Sequence, residues 1–542
     1  MWCGPVRFGG VSQTSHRPVS PRGLFVTRRS VDCPMDETSM AVTGGMTSAT
    51  APTRGRWIED WRPDDPEFWE GVGHRTARRN LGLSMFAEHI GFAIWVVWTV
   101  VVLNLADVGI VLSVSDQFVL TLLPNLIGAL LRIPYTFAVP RFGGRAWTTF
   151  SAALLLVPAL LLAALVPSHW LAHQGHATQM WVLALCAASA GVGGGNFASS
   201  MANISFFYPD RRKGWALGLN AAGGNLGVAT AQLVVPLVVI IGIPAAAVKL
   251  PKHHVHLVYA GLLWIPFILL ASFAAWRYMD SLTQAKADTS AYRAALRHGH
   301  TWVLSFLYIG TFGSFIGFSF ALPLVIKNSF PTFLAGHPFI ATYLAGLGFT
   351  GAFFGSLSRP VGGWLADRVG GAPVTLGAFA GMAGFTAAAL RGVDHHDFAL
   401  FFASFQVVFV LAGIGNGSIY KMIPAVFADA ARGGGDRSPA EEGAAIEHKR
   451  RAAAVIGIAG AIGALGGVLI QVVIRQASLH VSALEAAAKT PAQRAVIASS
   501  HSAWSAPALW AFLVSYVVFA TVTWVVYLRR PAAVIATSPV PA

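Results

Sequence analysis

The sequence predicts an all-α integral membrane protein, with about twelve transmembrane helices in two pseudo-symmetric six-helix bundles. Three observations carry this. Of 542 residues, 55% are hydrophobic and only 11% charged, with a mean hydropathy of +0.58. Soluble domains carry about 25% charged residues, so a chain this long and this poor in charge takes lipid as its solvent. Apolar runs of the ~20 residues that cross a bilayer recur along most of the chain, and the second set of runs repeats motifs of the first.

The first residues are a different material, rich in Arg, Ser, Thr and Pro, and 1–56 is expected to be a disordered tail without the apolar core of a secretory signal. Residues 57–82 mix Trp57, Trp61 and Trp69 with acids and bases, as an amphipathic segment at the membrane interface does. The N-terminal bundle is placed at 83–279, with runs near 83–105, 117–139, 147–167, 179–207, 215–241 and 257–278. A central loop at 280–301 leads to the C-terminal bundle, 302–530, with runs near 302–326, 338–366, 373–390, 398–427, 452–474 and 505–527, and a short tail at 531–542.

Orientation follows from Lys and Arg. Arg141 and Arg145, then Arg211, Arg212 and Lys213, then Arg277, Lys286, Arg293 and Arg297, then Arg368, then Lys449, Arg450 and Arg451, and finally Arg529 and Arg530 mark every second loop and the tail. The intervening loops are poorer, with Lys249, Lys252, Lys327 and Arg391. Positively charged loops stay inside, which puts both termini in the cytoplasm. The formal charge of +14 is explained by those loops and gives no reason to expect nucleic acid. Cys3, Cys33 and Cys186 are too scattered for a disulfide framework or a metal cluster, and no cofactor or metal is expected.

The halves repeat at a fixed offset. Gly128-Ala-Leu-Leu-Arg132 is followed by Arg141-Phe-Gly-Gly144, and Gly355-Ser-Leu-Ser-Arg359 is followed at the same distance by Arg368-Val-Gly-Gly371. Ala190-Gly-Val-Gly-Gly-Gly195 is echoed by Ala412-Gly-Ile-Gly-Asn-Gly417, and Gly218-Leu-Asn-Ala-Ala222 by Gly457-Ile-Ala-Gly-Ala461. Two related bundles of the same orientation describe a transporter whose substrate sits at the pseudo-two-fold interface.

Arg132 and Arg359 lie deep in equivalent spans, where a charge is expensive. Glu88 and Asp107 are placed near the ends of the first span and Asp367 at the inner end of the eighth, so no carboxylate is expected to neutralise the two arginines. The missing partner is then an anionic substrate, and the planar guanidinium fork suits a flat oxyanion. Snorkelling or a cation–π contact is the plainer reading of either Arg alone. Gly191–Gly195, Gly218–Gly227, Gly413–Gly417 and Gly457–Gly467 are small-residue faces for close helix packing. Within them Asn196, Asn220, Asn225 and Asn416 are interhelical ties or, for Asn225, a donor to substrate. Phe197, Tyr308 and Phe312 are candidate pocket walls, and His89 beside Glu88 is a possible proton-handling pair or a structural helix end.

The run Ala190-Gly-Val-Gly-Gly-Gly-Asn-Phe-Ala-Ser-Ser-Met-Ala-Asn-Ile-Ser-Phe-Phe-Tyr-Pro209, continuing to Gly218-Leu-Asn-Ala-Ala-Gly-Gly-Asn-Leu-Gly227, resembles the signature of NarK-type nitrate/nitrite porters of the major facilitator superfamily. Ala412-Gly-Ile-Gly-Asn-Gly-Ser-Ile-Tyr-Lys-Met-Ile-Pro424 resembles its partner, and Gly362-Gly-Trp-Leu-Ala-Asp-Arg-Val-Gly370 the superfamily's loop motif. The resemblance covers about 57–530 and implies the major facilitator fold, nitrate and nitrite as substrates, a lipid bilayer as surroundings and the cytoplasmic (inner) membrane; the sequence carries no signal for an assembly larger than a monomer. It implies substrate contacts at Arg132, Arg359, Asn225, Tyr308, Phe197 and Phe312. Signature or gating roles fall to Gly193, Gly195, Asn220, Gly224, Gly415, Asn416, Gly417, Asp367 and Arg368. The first span, Phe92-Ala-Ile-Trp-Val-Val-Trp98, resembles the exchanger-like branch, while Lys421 puts a cation where that branch often has a neutral residue. An empty site with two unneutralised guanidiniums is costly to carry through a closed intermediate, so exchange of nitrate for nitrite is expected. The alternatives are proton-coupled nitrate uptake and a membrane nitrate sensor or scaffold; an enzyme is not expected.

Overall fold

The computed structural model describes residues 56–241, 255–285, 289–344, 347–428, 439–488, 490, 492–493 and 505–529. The tails expected over 1–56 and 531–542 fall outside these residues apart from Arg56, as do Lys249, Lys252, Lys286 and Arg530. Among the described residues eleven helices are long and apolar enough to cross a membrane. In the N-terminal half they are α1 (Pro66–Val101), α2 (Val114–Thr136), α3 (Gly144–Leu165), α4 (His176–Phe207), α5 (Arg211–Ile241) and α6 (Tyr259–Tyr278). In the C-terminal half α7 is Gly299–Ser329. There α8 (Gly348–Val369) has the length of a span, but Arg359, Asp367 and Arg368 lower its apolarity. It is followed by α9 (Gly371–Asp394), α10 (Phe398–Ile423), α11 (Arg450–His480) and α12 (Ala506–Leu528). Large apolar side chains such as Leu160, Trp181, Leu185, Phe273 and Trp510 are exposed around these helices, as a lipid-facing surface requires.

The first helix starts well before the apolar run expected at 83. Asp65 caps it, its carboxylate accepting from the Glu67 amide (3.0 Å) and the Phe68 amide (3.3 Å), and Pro66 occupies the first turn, where a missing N–H costs nothing. The segment 57–82 is therefore largely helix, and it packs on protein. Trp61 and Trp69 are buried, Trp61 Nε1 donates to the Phe206 carbonyl (3.1 Å), and Trp57–Ile58 (β1) pairs in parallel with Ser281–Leu282 (β2) just beyond α6. Asn80 Nδ2 donates to Asp280 (2.8 Å) and the Asp280 amide returns a bond to Asn80 (2.9 Å), tying α1 to the end of α6. The eighth span also differs from its expected 338–366. Pro331–Gly336 and Pro338–Tyr343 are separate short helices, and α8 begins only after Leu347, whose φ is +69°.

The repeat is visible in backbone conformation. Gly143 (φ +84°) ends the turn between α2 and α3, and Gly370 (φ +97°), its counterpart, ends the turn between α8 and α9. Across the interface between the halves α2 packs on α11 and α5 on α8. Proline supplies one of the ties. Pro323 in α7 cannot donate to the carbonyl four residues back, that of Ser319, and Gln232 Nε2 of α5 fills the gap at 2.7 Å. At the same end Lys327 Nζ donates to Leu103 O (3.2 Å) and Arg475 Nε to Ser115 Oγ (3.0 Å). At the basic end Tyr292 Oη donates to Thr136 O (3.1 Å). The centre between them is sealed.

Candidate functional site

Two arginines occupy that sealed centre, Arg132 fully buried and Arg359 at 1% exposure. Glycine lets the helices around Arg132 close in. A Cβ on Gly195 of α4 would meet Leu131 Cβ at 2.9 Å and Tyr135 at 3.0 Å, the neighbours of Arg132 in α2. The guanidinium spends two donors on bare carbonyls, Nε on Gly194 O of α4 (3.0 Å) and Nη1 on Gly460 O of α11, in the other half (2.7 Å). Its Nη2 has no partner among the described residues. Arg359 donates through Nη2 to Tyr308 Oη (3.0 Å), and its Nη1 is left without a partner among the described residues.

Aromatic rings separate and support the two cations. Phe197 and Phe312 stack at 5.5 Å and 11°, and Phe312 and Tyr308 at 5.2 Å and 5°, which forms a three-ring stack from both halves. Arg132 Cζ lies 4.8 Å from the Phe197 centroid, 4.8 Å from Phe312 and 5.5 Å from Trp95. Arg359 Cζ lies 5.4 Å from Phe312 and 5.8 Å from Phe197. Tyr308 caps and Phe312 lies within a π-helical turn, Ile309–Gly313, that interrupts α7 at this level; such turns recur at functional sites. Ring faces compensate part of the cationic charge, and one terminal nitrogen of each arginine is without a partner among the described residues.

Five of the six residues expected to touch substrate are thus in mutual contact. The sixth, Asn225, is fully buried with both amide atoms unpartnered among the described residues, and no hydrogen bond or ring contact joins it to the cluster. Asn416 is the same. Asn220 is a tie, its Nδ2 donating to Ser200 Oγ at 2.7 Å, and so is Asn196, whose Oδ1 accepts from Trp147 Nε1 at 3.0 Å. The signature glycines sit where helices touch: Gly193 against the Gly91 carbonyl, Gly415 against Thr311, Gly417 against the Arg359 carbonyl, and Gly224 against Glu88. Asp367 pairs with Lys421, both partly exposed, and Arg368 lies over the Trp364 ring at 4.0 Å.

One expectation is corrected. Glu88 does not sit near a helix end: with α1 starting at Pro66 it falls in the helix interior, is 1% exposed, and lies within electrostatic reach of both Arg132 and Arg359. A carboxylate is therefore present in the membrane-spanning core, although it forms no ion pair with either guanidinium. Asp107 is in a short turn beyond the helix and is exposed. Sequence reasoning also missed Trp95, Tyr420 and Gly460. Trp95 Nε1 donates to Pro124 O (2.7 Å), fixing its ring beside Arg132. Tyr420 stands edge-on to Tyr308 at 5.1 Å. Gly460 acts through its carbonyl, which leaves no mark in a side-chain pattern.

The profile of the Major Facilitator Superfamily matches residues 81–471. The nitrate/nitrite transporter NarU of Escherichia coli is 36% identical over 491 residues, covering 87% of this chain and 96% of the relative. The probable nitrate/nitrite antiporter NarK2 of Thermus thermophilus is 37% identical over 396 residues, 70% of this chain and 85% of its own length. Among solved structures, a bacterial homologue of the human lysosomal transporter Spinster, inward-facing and unoccupied, aligns with a TM-score of 0.51 at 15% identity, covering 83% of this chain and 96% of that one. The E. coli fucose:proton symporter aligns with a TM-score of 0.51 at 13% identity, over 83% and 99%. These two speak for the fold alone.

Proposed function

Because the chain belongs to the nitrate/nitrite porters of the Major Facilitator Superfamily, we propose that the two-arginine centre is where it binds its anion and that it exchanges nitrate for nitrite by alternating access. Nitrate/nitrite transport across a membrane is its activity; it is not an enzyme. The single observation behind the clamp is that Arg132 and Arg359, one from each half, share an aromatic frame and each keep one terminal nitrogen unpartnered among the described residues. A flat monoanion accepts hydrogen bonds from two forks at once, and in a centre that excludes water those charge-assisted bonds are strong.

Exchange follows from charge. Neither guanidinium has an ion pair with a carboxylate among the described residues, and the rings compensate only partly, so while Glu88 is neutral the closed intermediate is far cheaper with an anion aboard than without. In that state the loaded carrier turns over and the empty one waits. The basic end, with Arg141, Arg145, Arg211 and Arg212, faces the cytoplasm in this reading, in the inner membrane of a bacterium. The test is uptake of labelled nitrate into liposomes holding only this protein, at equal pH on both sides. Faster uptake into nitrite-loaded vesicles than into anion-free ones is expected, and equal rates would remove exchange. A second reading, proton-coupled uptake, is favoured by one observation, the buried Glu88.

A further inference from the structure

We propose that Glu88 is a proton-carrying group that lets this carrier return empty, so that the same centre performs proton-coupled net uptake in addition to exchange. The inference rests on the anion site described above and concerns a side chain beside it that holds the proton and not the anion. Glu88 is 1% exposed, and neither carboxylate oxygen completes a hydrogen bond among the described residues. A carboxylate has room there only because α5 presents bare backbone: a Cβ on Gly224 would stand 2.9 Å from Glu88 Oε2. The hydroxyl of Ser200 lies beside it, already bonded to Ser84 Oγ (3.0 Å) and Asn220 Nδ2 (2.7 Å).

An acid kept in a span at such cost marks an ion or proton pathway. A route reaches it. A cavity of about 700 Å³ between α1 and α5 is lined by His74, Arg78, Arg212 and Trp215 and extends to Met85 and Leu219. Met85 and Glu88, three residues apart, share a helix face, so the cavity ends about one helical turn, ~5 Å, short of the carboxylate. His89, next in the chain and half-buried, holds the Gly223 carbonyl through Nδ1 at 3.1 Å. The charged or titratable groups acting on Glu88 are Arg132 of α2 and Arg359 of α8, with His89 adjacent on its own helix. The facing parts of α4 and α5 contribute Ser200, Asn220 and Gly224, none of them charged.

The charges of the centre then balance in two states. With Glu88 ionised and no anion, two guanidiniums and one carboxylate sum to one positive charge. With a monoanion bound and Glu88 protonated, the sum is the same. Both states cross at comparable cost, and one proton accompanies each anion: Glu88 takes it from hydronium on the uptake side, leaving water, and returns it to water on the other side as the anion leaves. If Glu88 stays protonated the empty centre carries two charges and is held back, which leaves exchange alone.

The experiment uses the full chain in liposomes with the membrane potential clamped. It compares nitrate uptake against internal nitrite at equal pH with net nitrate uptake into anion-free vesicles under an inward proton gradient. Wild type is expected to do both. Glu88→Gln, permanently neutral, is expected to keep exchange within about twofold and to lose proton-driven uptake by at least about tenfold, while Glu88→Asp, still an acid, keeps both. Proton-driven uptake that survives in Glu88→Gln, or that wild type lacks while exchanging normally, overturns this inference and leaves the exchange reading intact. Loss of exchange in step with uptake in Glu88→Gln makes Glu88 a structural side chain and also overturns it. A wild type inactive in both assays overturns the anion-carrier reading itself.

Discussion

The two halves supply one arginine each at equivalent positions of the repeat, yet they hold them differently. Arg132 is pinned by two carbonyls, one from its own half and one across the interface, and is flanked by Trp95, Phe197 and Phe312. Arg359 lies over Phe312, Phe197 and Phe315 and makes one hydrogen bond among the described residues, to the Tyr308 hydroxyl of its own half. The bond from Arg132 to Gly460 O also joins the two halves, so under the proposed alternating access it must be released or remade in other states. The sequence repeat thus keeps the cation, and in the proposed clamp the surroundings would divide the labour: one arginine would couple binding to closure, and the other would keep more freedom to follow the ligand.

That asymmetry predicts a ranking. Arg132→Lys loses two charge-assisted bonds to carbonyls, each worth about 1.5–3 kcal/mol, and should lower transport at limiting nitrate by at least about a hundredfold. Arg359→Lys loses one bond and the planar fork, and about tenfold is expected. Initial rates of labelled nitrate uptake, corrected for the amount of protein in the vesicles, decide the order. Equal losses would mean that the anion, rather than the carbonyls, dominates both sites, and a larger loss at Arg359 would reverse the assignment of the pinned side. Tyr308→Phe keeps the ring stack and removes only the hydroxyl on Arg359, so KM should rise about three- to tenfold with a smaller change in maximal rate. An unchanged KM would show that Arg359 is oriented by its rings alone.

The reach of the sequence follows the same lines. The arginine pair was legible because a charge deep in an apolar run is expensive and a charge repeated at the same place in a second half is not accidental. Phe197, Tyr308 and Phe312 were legible by resemblance, and their stacking was not, because it depends on a π-helical turn in α7. Glu88 was misplaced because hydropathy alone set the start of the first span. Asp65, Pro66 and the acid after them are a helix-start signal, and giving that signal weight over apolarity would have put Glu88 in the interior. The bonds from Arg132 to Gly194 and Gly460 could not be read, since a carbonyl acceptor has no residue type. Asn225 and Asn416 lie in the signatures, and their burial without partners is a property of the packing that no spacing announces.

The halves differ also at the basic end, and there the smallest effect is expected. Asp367 pairs with Lys421 of α10, whereas the N-terminal counterpart of Asp367 is Pro140, which has no charge to offer. Lys421 was the cation that set this chain apart from the exchanger-like pattern, and its pairing with the loop motif gives it a local partner away from the anion centre. The side chains are 36% and 47% exposed, and exposed ion pairs contribute about 0–1 kcal/mol. Lys421→Ala and Asp367→Asn should therefore each lower exchange by less than about threefold, and the double variant by no more than the worse single one, since the second substitution finds the pair already broken. Losses of tenfold or more, equal in both single variants, would instead make this pair a latch on the closed state. The C-terminal half would then control opening at the basic end by a device that the N-terminal half does not possess.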